Sequence, residues 1–236
     1  MLFRIPNLVV ILSLLCSVNL FARQTDDPAK MVISHVNRAD IDPYVEFIRQ
    51  AYTELGFTVV LVPTPALRGA ILVDEGVFDA DVVRIDFDLV DKPNIIKIKP
   101  ALNTAYVALL CIKNVPCEAD VLLKSNVAIA SNSVAQSQFS ETELQANIVN
   151  VNNAETLPAL LLGQRISYAL LIIDELAEQH MSEQLNIVRL KDRSVFHVIN
   201  KKHVNLVPLI EAKIAEKLPA FQASRRAQHA TKTEAQ

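Results

Sequence analysis

The sequence predicts an α/β fold in two lobes, each a mostly parallel sheet flanked by helices. Short apolar runs alternate with helical repeats between Met31 and Lys99 in a β-α-β-α-β order, the pattern of a parallel sheet covered on both faces. A second series of the same kind begins after Pro100. The chain has 236 residues, 51% of them hydrophobic, which is enough for two cores of roughly 100 residues each.

From the amino end, Arg4, the apolar run Leu8 to Leu15 and Phe21-Ala22-Arg23 read as an export signal over residues 1–22. Its apolar core is short for a membrane span. Leu15 stands before Cys16 where a lipid-attachment site needs a small residue. With Cys16 removed, Cys111 and Cys117 remain, and an even pair in an exported chain reads as a disulfide. The alternative is two reduced thiols, one on a strand and one in a loop. Two cysteines with no nearby histidine pair make no zinc site. A net charge of -3, with no clustered basic face, excludes a nucleic-acid partner.

Met31 to Val36 reads as the first strand. Asp42 is expected to cap a helix with Pro43 at its first position, and Tyr44, Phe47, Ile48, Ala51 and Leu55 recur at helical spacing before Gly56 ends it. Thr58 to Val62 reads as a buried parallel strand. A two-proline turn and a short helix ending at Gly76 lead to the next strand, Asp81 to Ile85. That unit sets Arg68 and Arg84 near the ends of elements, where open α/β sheets meet their ligands. A further strand runs from Ile95 to Lys99.

In the second series Tyr106 to Ile112, Asn126 to Ala130 and Ile148 to Val151 read as strands. A helix opens at Asn152, with Glu155 in capping-box position, and stops near Gly163. Ile166 to Ile173 lacks alternation and suits a central strand; it ends at Asp174. Leu185 to Leu190 and Val195 to Ile199 are two more strands. The last helix is expected from Asn205 to Leu218, with Pro208 in its first turn, where proline is tolerated. Residues 222–236 hold no large apolar side chain and are expected to be disordered, with Arg225 and Arg226 a solvated charge pair.

The succession Leu55-Gly56, Pro65-x-x-Arg68, Glu75-Gly76-x-x-Asp79, Arg84 and Lys92-Pro93-Asn94-Ile95-Ile96 resembles the type II periplasmic solute-binding proteins. More narrowly it resembles the short family 3 members of Gram-negative bacteria, related to amino-acid-binding proteins. Gly163-Gln164-Arg165-Ile166-Ser167-Tyr168-Ala169 agrees with it, with Ser167 where the family often has aspartate, and so does Phe196-His197-x-Ile199-Asn200-Lys201-Lys202-His203. The resemblance implies two α/β lobes joined by crossovers near 103–106 and 184–186. Lobe 1 would comprise 23–104 plus 185–221, and lobe 2 residues 105–184. It implies a periplasmic monomer that clamps a small polar solute, an amino acid or a carboxylate, for ABC-type uptake or sensing through a membrane permease or membrane sensor.

Such a cleft needs a fixed cation for the solute's anionic end, and arginine offers a planar fork. Arg68 and Arg84 are the candidates, and Arg84 would equally pair with Asp79, Asp81 or Asp86. By the resemblance, Ser131, Asn132 and Ser133 would present hydroxyls and N–H groups at a helix start, or serve as an ordinary N-cap. Asp174 is where amino-acid-binding relatives place a carboxylate for the ligand's ammonium, and it would equally cap the helix starting at Glu175. The sequence shows no H-E-x-x-H, G-x-S-x-G, Walker or G-x-G-x-x-G pattern, and four glycines are few for a phosphate loop. His197, within an apolar strand, reads as a satisfied core histidine. No catalytic residue, metal or cofactor is expected. Two other uses of the same fold stay open, a sensory or interaction module that has lost solute binding and a binding-protein-fold enzyme such as a dehydratase.

Overall fold

Apolar runs too short for helices make up the sheet, and helices of amphipathic spacing cover it. The computed structural model describes residues 29–233, so the expected export signal lies outside the described residues. The strands are β1 (Lys30–His35), β2 (Thr58–Pro63), β3 (Ala80–Ile85), β4 (Ile95–Ile112), β5 (Ala128–Ser131), β6 (Asn147–Asn150), β7 (Tyr168–Asp174) and β8 (Leu185–Asn200). The α-helices are α1 (Asp42–Glu54), α2 (Ala66–Asp74), α3 (Ser133–Gln136), α4 (Thr156–Leu162), α5 (Glu175–Met181) and α6 (Val207–Thr233). The strands form one sheet in the order β2-β1-β3-β8-β4-β7-β5-β6.

Two lobes arise because β4 and β8 are long enough to serve both. Their antiparallel pairing runs from Ile95 opposite Asn200 to Ile112 opposite Leu185. It jumps between the pairs Ile98–His197 and Asn103–Val195, five steps along β4 against two along β8. That bulge marks the passage from one lobe to the other. Lobe 1 is cored by Met31, Ile33, Ile48, Tyr52, Val82 and Ile98, with Ile210 and Ile214 of α6. In lobe 2 successive β4 residues serve opposite faces: Tyr106, Ala108 and Leu110 pack with Leu157 and Leu161, while Val107, Leu109 and Cys111 pack with Val121 and Ile129. A period of two with both faces buried is the signature of a doubly covered strand.

The two-lobe α/β architecture is the one predicted, with several corrections. The pairs of short strands at 95–99 and 106–112, and at 185–190 and 195–199, are each one continuous strand. The first half of β8 packs in lobe 2, with Leu185 and Ile187 in one core and Val188 and Leu190 in the other, so the second crossover lies near 191–195 and not at 184–186. Asp42 is the first residue of α1 rather than its cap, and no side chain caps that helix. The capping box expected at Asn152 and Glu155 does not form; α4 starts at Thr156 without a side-chain cap. Residues 222–233 continue α6 and are not a disordered tail, although Pro219 lies within the helix. Its amphipathic stripe persists past the proline, because Leu218 and Phe221 both pack on the lobe 1 core. A disulfide joins Cys111 to Cys117, with sulfurs 2.04 Å apart.

Candidate functional site

Strand direction places the site. β1, β2 and β3 run parallel, and β4 runs the same way because β3 and β4 both pair antiparallel with β8. β4 then enters lobe 2, where β7 opposes it and β5 and β6 follow β7. The carboxyl ends of β1–β3 therefore face those of β5–β7 across the crossover. Crevices outside the carboxyl ends of strands are where open α/β sheets take ligands, and here two such ends are opposed.

On the lobe 1 side, Arg84 is buried at 4% exposure. Its Nη2 lies 2.5 Å from Asp81 Oδ2, which also accepts the Ser34 hydroxyl. The guanidinium fills the space beneath α2: a Cβ on Gly69 would lie 2.3 Å from Arg84 Nη2 and 2.8 Å from Asp81 Oδ2, so only glycine allows this approach. Of the two readings for Arg84, the structure shows the ion pair with Asp81. Burial pushes the Asp81 carboxyl up, and Arg84 opposes that shift. Arg84 Nε and Asp81 Oδ1 are buried without a partner. Arg68 lies apart from this pair, exposed in the first turn of α2.

On the lobe 2 side, Ser131 is fully buried and its hydroxyl donates to the Asn132 carbonyl at 3.0 Å. Asn132 caps α3, its side chain accepting from Ala135 N at 2.9 Å, and Ser133 is exposed. Asp174 caps α5, with Oδ1 accepting from Ala177 N at 2.9 Å. These residues share the lobe 2 rim, but none is bonded to Arg68 or Arg84.

What the structure joins across the crossover is a cluster that the sequence reading missed. Asp174 Oδ2 accepts from Asn103 Nδ2 at 3.0 Å and from Arg225 Nη2 at 2.9 Å. Tyr44, from α1, accepts a second bond from Asn103 Nδ2 at 2.9 Å and one from Arg225 Nη1. The Arg225 guanidinium also lies 4.6 Å from the centre of the Tyr44 ring, in cation–π contact. Burial pushes the Tyr44 hydroxyl up to about 12, against the Arg225 charge. Arg38 grips Asp40 with two donors nearby. Burial disfavours its charge, but Asp40, Glu155 and Asp174 outweigh that and hold its pKa raised. The missed signal was the spacing Leu218, Phe221, Arg225, which continues the apolar face of α6 in steps of three and four; Pro219 hid it.

No protein-family model matches the chain, and no curated protein matches it in sequence. Solved structures do match. An ancestral amino acid-binding protein, a precursor of cyclohexadienyl dehydratase, is 13% identical with a TM-score of 0.68, over 83% of this chain and 95% of that one. A histidine kinase sensor domain similar to periplasmic binding proteins is 14% identical with a TM-score of 0.67, over 84% and 96%. An amino acid ABC transporter substrate-binding protein from Streptococcus pneumoniae, bound to L-arginine, is 14% identical with a TM-score of 0.60, over 84% and 92%. At these identities the shared property is the fold, that of the type II periplasmic amino-acid-binding proteins.

Proposed function

We propose that the chain is exported to the periplasm and closes its two lobes over a small polar solute, an amino acid or a carboxylate, serving uptake or sensing as a monomer beside a membrane permease or membrane sensor. The observation that carries this reading is the opposition of the two sets of strand ends, with polar and charged groups of both lobes at the crossover. The fold it shares with amino-acid-binding proteins supports it. In this reading Ser131, Asn132 and Ser133 hold the solute's anionic end through hydroxyl and N–H donors, and Arg68 approaches from the exposed turn of α2. Arg84 reaches the solute only by giving up Asp81. β4 and β8 supply the hinge. The role is binding and not catalysis.

Thermal unfolding of the purified protein against amino acids, small carboxylates and other metabolites tests this. A true ligand raises the midpoint in step with the logarithm of its concentration above Kd, by the equivalent of about 2.7 kcal/mol at a hundred times Kd. A panel in which no solute moves the midpoint, and none gives heat on titration, rejects solute clamping. That outcome would leave the second reading, a sensory or interaction module of the same fold, which is favoured by the engagement of Asp174 with Arg225.

A further inference from the structure

Tyr44, Asn103 and Asp174 together make a cation box. The carboxylate side chain is only 16% exposed, a ring face lies beside it, and the Asn103 amide donates to both Asp174 Oδ2 and the Tyr44 hydroxyl oxygen. Its occupant belongs to the chain itself. Arg225 donates to Asp174 and to the Tyr44 hydroxyl and stacks on the ring, with its own side chain 12% exposed. Ala177 N takes the remaining carboxylate oxygen, so both oxygens are engaged. The delivery is rigid. Phe221, one helical turn earlier, stacks on Phe47 at 4.4 Å and meets Tyr44 edge-on at 5.2 Å, and Gln222 donates to the Leu102 carbonyl at 3.2 Å.

We propose that Arg225 is a specificity-determining residue: an internal guanidinium that fills this box and restricts the cleft to solutes with no cationic group there. The solute class is then carboxylate-type anions and not amino acids or amines. The consequence for the solute rests on the clamp reading, whereas occupation of the box does not. A tethered group competes at an effective concentration of about millimolar or more, so a free cation entering the wild-type box is penalised by that competition.

The test uses ethylguanidinium and ethylammonium as probes, read by thermal shift and titration calorimetry on the wild type, Arg225→Ala and Arg225→Ala/Asp174→Asn. The single variant should gain saturable heat on titration with ethylguanidinium, with a Kd at least about tenfold below that of the wild type and a correspondingly larger thermal shift, and the double variant should lose both. Should Arg225→Ala be unfolded, Arg225→Gln, which keeps the stem over Tyr44, takes its place in the same comparison. A folded single variant that responds no better than the wild type overturns the proposal, as does a response that survives Asp174→Asn. If the single variant responds while no carboxylate or amino acid moves the wild type, the box stands and the clamp reading falls. If amino acids bind the wild type more tightly than the matching carboxylates, the solute class assigned here is wrong.

Discussion

Replacing Arg84 with methionine separates a structural arginine from a solute-binding one. Methionine keeps an apolar stem but removes the cation bonded to Asp81, a carboxylate with 0% exposure. The Ser34 hydroxyl would be left as the bonded side chain on Oδ2, and Oδ1 already lacks a partner. Stranding one member of a buried pair costs about 3–5 kcal/mol, a large part of the roughly 5–15 kcal/mol that holds a domain folded. Burial already pushes the Asp81 carboxyl above its ordinary 3.8, and losing Arg84 pushes it higher. A folded pKa raised above the unfolded one means that the folded state favours the protonated acid. The group's contribution is complete below the unfolded value and is lost as pH rises through the folded one. The deficit of Arg84→Met should therefore be small in acid and grow toward neutral pH. Urea unfolding of the wild type, Arg84→Met and Asp81→Leu/Arg84→Met at about pH 5 and about pH 8 measures it. The double variant should recover most of the loss, since well-packed apolar residues can replace a buried pair at little cost. A single variant within about 0.5 kcal/mol of the wild type at both pH values would refute the argument. An unchanged stability with solute binding abolished would make Arg84 a solute contact instead.

His197 is fully buried between the Tyr52 hydroxyl, 2.9 Å from Nε2, and the Val82 carbonyl, 3.3 Å from Nδ1, and burial pushes its pKa down to about 4. Because that value lies below the unfolded 6.5, its contribution is intact above 6.5 and lost as pH falls toward 4, at most about 3 kcal/mol. His197→Asn should flatten the dependence of the urea midpoint on pH in that window, and an unchanged slope would count against the assignment. Phe221→Ala removes the stacking on Phe47 and Tyr44 and should cost about 2 kcal/mol, less than for a fully buried ring because Phe221 is half-buried. Hydrogen exchange along residues 222–233 should quicken with it; unaltered protection there would show that the end of α6 does not depend on this contact.

The strands Asp81–Ile85 and Ile166–Ile173 were legible because they are apolar runs bounded by turn residues, and burial on both faces demands that composition, whereas Thr58–Val62 has the same composition but forms the half-buried edge of the sheet and not the buried strand expected. α1 was legible from its repeat of Tyr44, Phe47, Ile48 and Ala51, all of which are buried. The continuity of β4 and β8 was not. Pro100, Asn103 and Thr104 interrupt the apolar pattern in one, and Lys191 to Ser194 in the other. Asn103 and Thr104 and the β8 stretch Lys191 to Ser194 stay extended because they find ladder partners in the other strand, nearly a hundred residues away, while Pro100 lies in the unpaired bulge. α6 was cut short at Leu218 because proline at the next position usually ends a helix, yet packing of Phe221 on α1 outweighs one missing backbone bond.

The site divides in the same way. Asp174 at a strand end and Asn132 at a helix start were visible locally, since a cap is a matter of three residues. In the sequence Arg225 reads as solvated because residues 222–236 hold no large apolar side chain and are expected to be disordered; its partners, Tyr44 and Asp174, are 181 and 51 residues away. The sequence alone determined the periods and the caps at Asn132 and Asp174, and hence the α/β class, but not the caps expected at Asp42 and Asn152. Tertiary structure decided which arginine meets which carboxylate, because Coulomb and hydrogen-bond energies depend on distance in space and chain order does not encode that distance.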